Sequence, residues 1–386
     1  MSVTAAKGFV AAGVACGIKR EALDVAVLIA DESAATAAVF TRNQAAAAPV
    51  TLNRASLERD TSKRAVVINS GCANAATGAR GVANGQAMAE HLATAIGCGA
   101  DEVLVCSTGT IGPQLPMDLL LDGIGQAAAS VDATPESAAL AAKAIMTTDS
   151  VAKQSVVEGA GWSVGGMAKG SGMVRPDMAT MLAFITTDAS VDHDRLDDAL
   201  RSAVDVSFNS LNIDGCESTN DTVIAMASGA SGVVPEPTEF GAAMEDVCRD
   251  LAHQMAQDAE GASRVVTIEL TGADDDAQAR ELGRTITDSA LVRSSFHGGD
   301  VNWGRILGAL GTSDISIDPE SITISYEGVV VFTGGMQAFY SDEALLAGLE
   351  TGDFGISVSL GDGSGTAHIV TTDLTPEYVI FNGERS

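Results

Sequence analysis

The chain has 386 residues, enough for two or three domains with substantial cores, and 46% of it is hydrophobic against 19% charged. Its 51 acidic and 22 basic residues leave a formal net charge of −29, a field that repels nucleic acid and anionic membranes and argues against both as partners. No apolar run approaches the roughly 18–20 residues that span a bilayer, and no basic stretch leads into an apolar core and a small-residue cleavage site, so the expected location is cytoplasmic.

Six cysteines (Cys16, Cys72, Cys98, Cys106, Cys216, Cys248) are scattered without a C-x-x-C pair or zinc-like spacing. They read as reduced thiols in or near the core, and no metal is expected.

In chain order, Asp24–Ile29 and Ala65–Ile68 are predicted as buried strands. Gly85–Ile96 is Ala-rich and helical, and Val103–Cys106 follows as a strand. Met117–Ala128 and Pro135–Ile145 read as helices, the second with Pro in its first turn. Met181–Ile185 is a short interior strand. A helix near Asp194–Val206, a strand near Val223–Met226 and a helix near Glu239–Ala256 come next.

Arg264–Leu270 alternates as a strand. Beyond about Ala273 the pattern is helix and then strands at Ile315–Ile317, Ser321–Tyr326, Val329–Phe332, Phe354–Leu360 and Ala367–Thr371. This predicts a smaller C-terminal α+β domain over about 273–386, and a fold that is α+β or layered α/β with mixed sheets.

There is no phosphate loop, no H-E-x-x-H and no G-x-S-x-G nucleophile elbow. Of the five histidines, His91, His193 and His253 fall in charged helical surroundings and are expected at the surface. His297 reads as part of a Gly-rich loop and His368 as part of a strand. Nothing nominates a histidine base.

The most unusual stretch is KGSGMVRPDMATMLAFITTDA (169–189). Glycines at 165, 166, 170 and 172 suggest a permissive loop, Pro176 restricts Arg175 to extended backbone, and Ala179-Thr180 leads into an apolar strand. By itself this is a loop followed by a core strand whose first residue is Thr.

The segment nevertheless resembles the self-cleavage signature of the ornithine acetyltransferase (glutamate N-acetyltransferase) family of arginine biosynthesis. The resemblance extends through GFVAAGVACGIK (8–19), AVFTRN (38–43), INSGCANAATG (68–78), STGTIG (107–112), AIMTTD (144–149), STNDT (218–222), DAEGAS (258–263) and NWGRIL (302–307). Two positions depart from the family: Val301 replaces a usual Pro in D-P-N-W-G-R, and Asn382 is followed by Ser386 after four positions rather than five.

The resemblance implies a fold of the aminopeptidase/ornithine acetyltransferase type. It also implies cleavage between Ala179 and Thr180 into an alpha chain, 1–179, and a beta chain, 180–386, assembled as a heterotetramer of two alpha and two beta chains. Thr180 is the implied nucleophile, and Thr108 with Gly109 the implied oxyanion donors. Thr147, Lys169, Thr180, Glu260, Asn382 and Ser386 are the implied substrate contacts, with no cofactor.

The implied reaction carries the acetyl group from N-acetylornithine through acetyl-Thr180 to glutamate. A Thr hydroxyl needs a base; cleavage supplies an α-amine of pKa about 7.7–8.0, nearer neutrality than a lysine at about 10.4. Asn69 and Asn74, in their Gly/Asn turn, are expected to be structural.

Two other enzyme readings share these residues. One is a hydrolase or aminopeptidase of the same N-terminal-nucleophile type, in which water resolves the acyl-enzyme; the other is a bifunctional form that also takes acetyl-CoA. The missing phosphate loop and the acidic composition favour the single donor. A non-enzymatic acidic scaffold predicts no cleavage.

Overall fold

A computed structural model describes residues 2–175, 181–341, 345, 349 and 352–384. The chain divides into two compact units, Met1–Asn209 with Cys216–Met255, and Ser210–Gly215 with Ala256–Ser386. The second unit thus begins ahead of the expected Ala273, because the strand reaching that residue is central to the second sheet.

The strands are β1 (Phe9–Val14), β2 (Val25–Phe40), β3 (Ser62–Cys72), β4 (Val103–Thr110), β5 (Lys153–Glu158), β6 (Ser163–Lys169), β7 (Leu182–Thr187), β8 (Leu211–Asn212) and β9 (Thr222–Ala227), followed by β10 (Val265–Ala273), β11 (Thr323–Tyr326), β12 (Val329–Thr333), β13 (Met336–Gln337), β14 (Phe354–Ser359) and β15 (Gly365–Thr372). The helices are α1 (Ala48–Leu57), α2 (Gly78–Ile96), α3 (Met117–Ala129), α4 (Pro135–Ala144), α5 (His193–Asp205), α6 (Pro237–Gln257), α7 (Asp276–Asp288), α8 (Ala290–His297), α9 (Trp303–Leu310) and α10 (Pro376–Glu384).

In the first unit the strand order is β4-β3-β2-β9-β7-β6-β5, with β1 beside β2. The long β2 pairs with β3 along its first part and with β9 along its second. Its pairing with β3 breaks between Ile29 and Ala34, where Asp31, Glu32 and Ser33 are exposed.

Across this break the sheet doubles over. Leu28, Val66, Ile68, Leu104 and Cys106 from one half meet Met167, Leu182, Phe184, Ile224 and Met226 from the other in one buried cluster. Outside the first half, Met88 and Leu92 of α2 and Leu120 and Ile124 of α3 cover Val25, Val27, Val67 and Val105. On the second half, a side chain at Gly166 would strike Val247 and Leu251 of α6 at 2.8 and 2.9 Å. The unit is therefore a helix–sheet–sheet–helix stack, a layered α/β arrangement with a mixed sheet.

Local chemistry accounts for the boundaries. Thr134 caps α4 by accepting the Ser137 N–H at 3.3 Å, with Pro135 in the first turn. Asp192 does the same for α5 through Arg195 N–H at 3.0 Å.

The second unit holds a seven-stranded sheet among the described residues, ordered β13-β12-β11-β14-β10-β15-β8. β10 runs parallel to β14 and antiparallel to β15. Leu282, Ile286, Val292, Phe296, Ile306 and Leu310 of α7–α9 pack on Ile268, Ile324, Ile356 and Val358 of this sheet.

Four expectations need correction. Gly165 and Gly166 belong to the wholly buried β6 rather than to a loop, because a Cβ at Gly165 would stand 2.1 Å from Ser2 O. Ile315–Ile317 is irregular: Ser313 Oγ accepts Ile315 N–H at 2.8 Å, a local bond that competes with strand pairing. His297 ends α8 and does not sit in a loop. Cys216 is exposed rather than near the core.

Candidate active site

The expected oxyanion residues stand where β3 and β4, running parallel, end together. Ser70 is opposite Thr108 and Gly71 opposite Gly109, with the register slipping at Gly71/Cys72. Gly109 has φ +125°, and a Cβ there would lie 2.3 Å from Gly71 C and 2.6 Å from Cys72 N. No other residue fits without parting the two backbones. Thr108 is buried, whereas Gly109 is exposed.

A polar frame holds this turn from below. Ser107 Oγ donates to Asn69 Oδ1 at 2.6 Å and Asn69 Nδ2 to Cys72 O at 2.8 Å. Asn74 Nδ2 donates to Gly81 O at 2.9 Å, so both asparagines are tied into the backbone of this turn. Asn220 Nδ2 adds bonds to Ala73 O at 2.7 Å and Ser107 O at 2.8 Å.

Asn220 leads to Asp221 and β9. Asp221 is fully buried, and its Oδ1 accepts the Met181 N–H at 2.9 Å. Its Oδ2 has no partner among the described residues. Burial pushes this carboxyl well above the usual carboxylate range, against the opposing pull of the Met181 amide and the Lys169 charge. Thr222 N–H returns to Met181 O at 3.2 Å.

The pair Asn220-Asp221 therefore joins the residue that follows position 180 to the turn carrying Thr108 and Gly109. Ala179 and Thr180 themselves lie outside the described residues, as do Pro176–Met178.

Lys169, the last residue of β6 and opposite Leu182, is buried at 2% exposure. Beside it stands Asp149. Its Oδ1 accepts Lys153 Nζ at 2.8 Å and Gly170 N–H at 2.7 Å, while Oδ2 accepts Thr147 N–H at 2.9 Å. Burial alone would raise the Asp149 carboxyl, but the charges of Lys169 and Lys153 and these bonds bring it down to about 2.

One carboxylate thus ties the loop bearing Thr147 to the strand end bearing Lys169. Thr147 is half-buried and lines a cavity of about 820 Å³ with Asp149, Lys143 and Gln154.

The other expected contacts belong to the second unit. Glu260 is half-buried in the turn after α6. The next residue, Gly261, has φ +65°, and a Cβ on it would come 2.4 Å from Tyr378 N. Thr375 Oγ1 donates to Gly261 O and accepts Tyr378 N–H, so the turn at Glu260 is packed on the start of α10. Asn382 is exposed on α10, its Nδ2 bonded to Tyr378 O at 3.1 Å. Ser386 lies outside the described residues.

Sequence reasoning missed Asp149, Asn220 and Asp221. All three lie in quoted motifs, AIMTTD and STNDT, and that placement was the only available signal.

The profile of the ArgJ family matches residues 10–386. The chain is similar to a Thermobifida fusca (strain YX) protein called arginine biosynthesis bifunctional protein ArgJ, 46% identical over 388 residues and covering 100% of each chain. The protein of the same name from Streptomyces coelicolor is 45% identical over 389 residues, again covering 100% of each. Among solved structures, an ornithine acetyltransferase complexed with ornithine from Mycobacterium tuberculosis is 47% identical. It covers 45% of this chain and 94% of that one, with a TM-score of 0.44.

Proposed function

From the premise that this chain belongs to the ArgJ family, we propose that it is an acetyltransferase of arginine biosynthesis whose active form is made by self-cleavage. It transfers the acetyl group of N-acetylornithine to glutamate. The observation that carries this reading is the link from Met181 through Asp221 and Asn220 to Ser107, which places the neighbour of Thr180 on the frame of the Thr108–Gly109 turn.

In maturation the Thr180 hydroxyl attacks the Ala179 carbonyl carbon and the acyl group moves from nitrogen to oxygen. Water then hydrolyses the ester, leaving a carboxylate on Ala179 and a free amine and hydroxyl on Thr180. That amine takes the hydroxyl proton when Thr180 attacks the acetyl carbonyl of N-acetylornithine. Negative charge on the carbonyl oxygen is met by the Thr108 hydroxyl and the Gly109 N–H, fixed in advance by the two strands.

Ornithine departs with a proton, and the amine of glutamate then takes the acetyl group from Thr180. Thr147, Lys169, Glu260, Asn382 and Ser386 are the substrate contacts that the family resemblance assigns, Lys169 answering a substrate carboxylate and Glu260 the ammonium of ornithine. The two chains, Met1–Ala179 and Thr180–Ser386, stay together as a cytoplasmic heterotetramer.

Gel electrophoresis and mass spectrometry test the maturation: two fragments are expected, and Thr180→Ala should stay whole and inactive. Incubation with N-acetylornithine and glutamate should yield acetylglutamate; free acetate as the main product would instead mark a hydrolase. The word bifunctional in the relatives' names supports a second reading, in which acetyl-CoA also serves as donor. Replacing N-acetylornithine by acetyl-CoA in the same assay decides it.

A further inference from the structure

Lys19 has no role in the reaction so far, yet the first unit builds a site around it. Its loop is held by Asp24, a fully buried side chain that accepts the N–H of Cys16 at 2.7 Å and those of Gly17 and Lys19 at 3.0 Å each. Asp24 O also accepts Ser70 N–H at 2.9 Å, which moors the loop to the end of β3.

The stem of Lys19 crosses Gly71, where a Cβ would meet Lys19 Cγ at 2.9 Å. Gly71 is the residue pressed against Gly109. At the far end, Lys19 Nζ donates to Met146 O at 2.8 Å, next to Thr147, and the side chain lines the same cavity as Thr147 and Asp149. An ammonium has three donors, and this is its one bond among the described residues. Lys19 therefore stretches from the oxyanion turn to the expected substrate contacts and keeps donors to spare.

The two substrates differ in charge. N-acetylornithine carries one carboxylate and one ammonium, and Lys169 of the first unit answers the carboxylate. Glutamate carries two carboxylates, and its amine must be neutral to attack. Of the lysines that line the cavity, Lys143 does so from an exposed position and Lys19 from a part-buried one beside Thr147, in a chain whose net charge of −29 opposes a second carboxylate.

We propose that Lys19 is a specificity-determining substrate contact whose ammonium binds a carboxylate of the glutamate acceptor within this cavity. The inference rests on the acetyltransferase reading. Burial and the like charge of Lys169 lower the Lys19 ammonium from the usual lysine value, while Asp24 and Asp149 oppose that fall. Such a cation is poorly hydrated and gains from an anionic ligand.

Lys19→Met keeps the stem and removes the charge. In the self-processed enzyme its KM for glutamate should rise at least about tenfold, the loss expected for one charge-assisted hydrogen bond. KM for N-acetylornithine should stay within about threefold of native, and acetyl-Thr180 should form at the native rate in a burst experiment. Equal rises in both KM values, or an unchanged KM for glutamate, would overturn the proposal.

Should Lys19→Met fail to fold, Lys19→Arg decides. A KM for glutamate within about fivefold of native supports a cation at this place, and a rise like that expected of Lys19→Met overturns it. A native protein that makes no acetylglutamate would instead sink the acetyltransferase reading.

Discussion

Lys153 Nζ stands 2.8 Å from Asp149 Oδ1, and neither side chain reaches solvent. Because Asp149 also receives the N–H groups of Thr147 and Gly170, the pair anchors the backbone on which two expected substrate contacts sit. Removing Lys153 leaves the buried Asp149 carboxylate with one cation fewer, only Lys169 and two N–H groups then answering its charge. Lys153→Met should therefore lower the unfolding free energy by about 3–5 kcal/mol. Urea titration checks this, and the double variant Asp149→Asn/Lys153→Met should recover most of the loss. A Lys153→Met protein as stable as native would show that the pair is not closed to water.

The same carboxyl makes a prediction about pH. It ionises at about 2 in the folded chain and near 3.9 in an unfolded one. The folded value is depressed, so its contribution is complete above about pH 4 and is lost as pH falls toward 2. Linkage sets that contribution at about 2–3 kcal/mol. Between pH 4 and 2 the stability of Asp149→Asn should fall less steeply than that of the native protein.

Thr108→Val removes a hydroxyl donor while keeping the volume. Steady-state kinetics should show kcat reduced by about 10²–10³, with KM for both substrates little changed. Gly109→Ala acts differently: the added methyl group meets Gly71 at 2.3 Å and forces the strand ends apart. It should lower the melting temperature as well as kcat, whereas Thr108→Val should leave melting near native.

Asn220→Ala leaves Ala73 O and Ser107 O without their side-chain donor. An unsatisfied buried acceptor costs about 1–3 kcal/mol, to be read in urea. Processing at position 180 should slow in parallel, followed by the appearance of the smaller fragments on a gel. A destabilised variant that processes at the native rate would argue that the frame serves folding alone.

Gly261→Ala tests the second unit. Its methyl group would displace the Tyr378 amide at the start of α10 in a backbone region that costs about 1–3 kcal/mol for other residues. Since Glu260 is its neighbour, KM for N-acetylornithine should rise more than KM for glutamate.

Legibility differed by kind of signal. Helices α3 and α4 were readable because helix signals such as Pro135 in the first turn of α4 are local. Thr108, Thr147 and Lys169 could be nominated only as members of motifs. Asp149, Asn220 and Lys19 were not readable, since their roles arise from contacts between distant parts of the chain: Asn220 with Ala73 and Ser107, and Lys19 with Met146.

The glycines misled for a physical reason. Gly165 and Gly166 carry the loop-like composition of a turn, but in β6 they are small because Ser2, Val247 and Leu251 leave no room. The run Ile315–Ile317 has strand-like residues, yet the hydroxyl of Ser313 captures an N–H that a ladder would need.

The strand from Val25 to Phe40 has a consequence for how the protein opens. It pairs with β3 in one leaf of the folded sheet and with β9 in the other, so the two leaves are joined through one unbroken strand. Deuterium uptake at Val27 and at Ala37 should report one shared opening event, and a destabilising change in either leaf should speed exchange in both. A segment this continuous makes the walls around the candidate site rise and fall as one cooperative body.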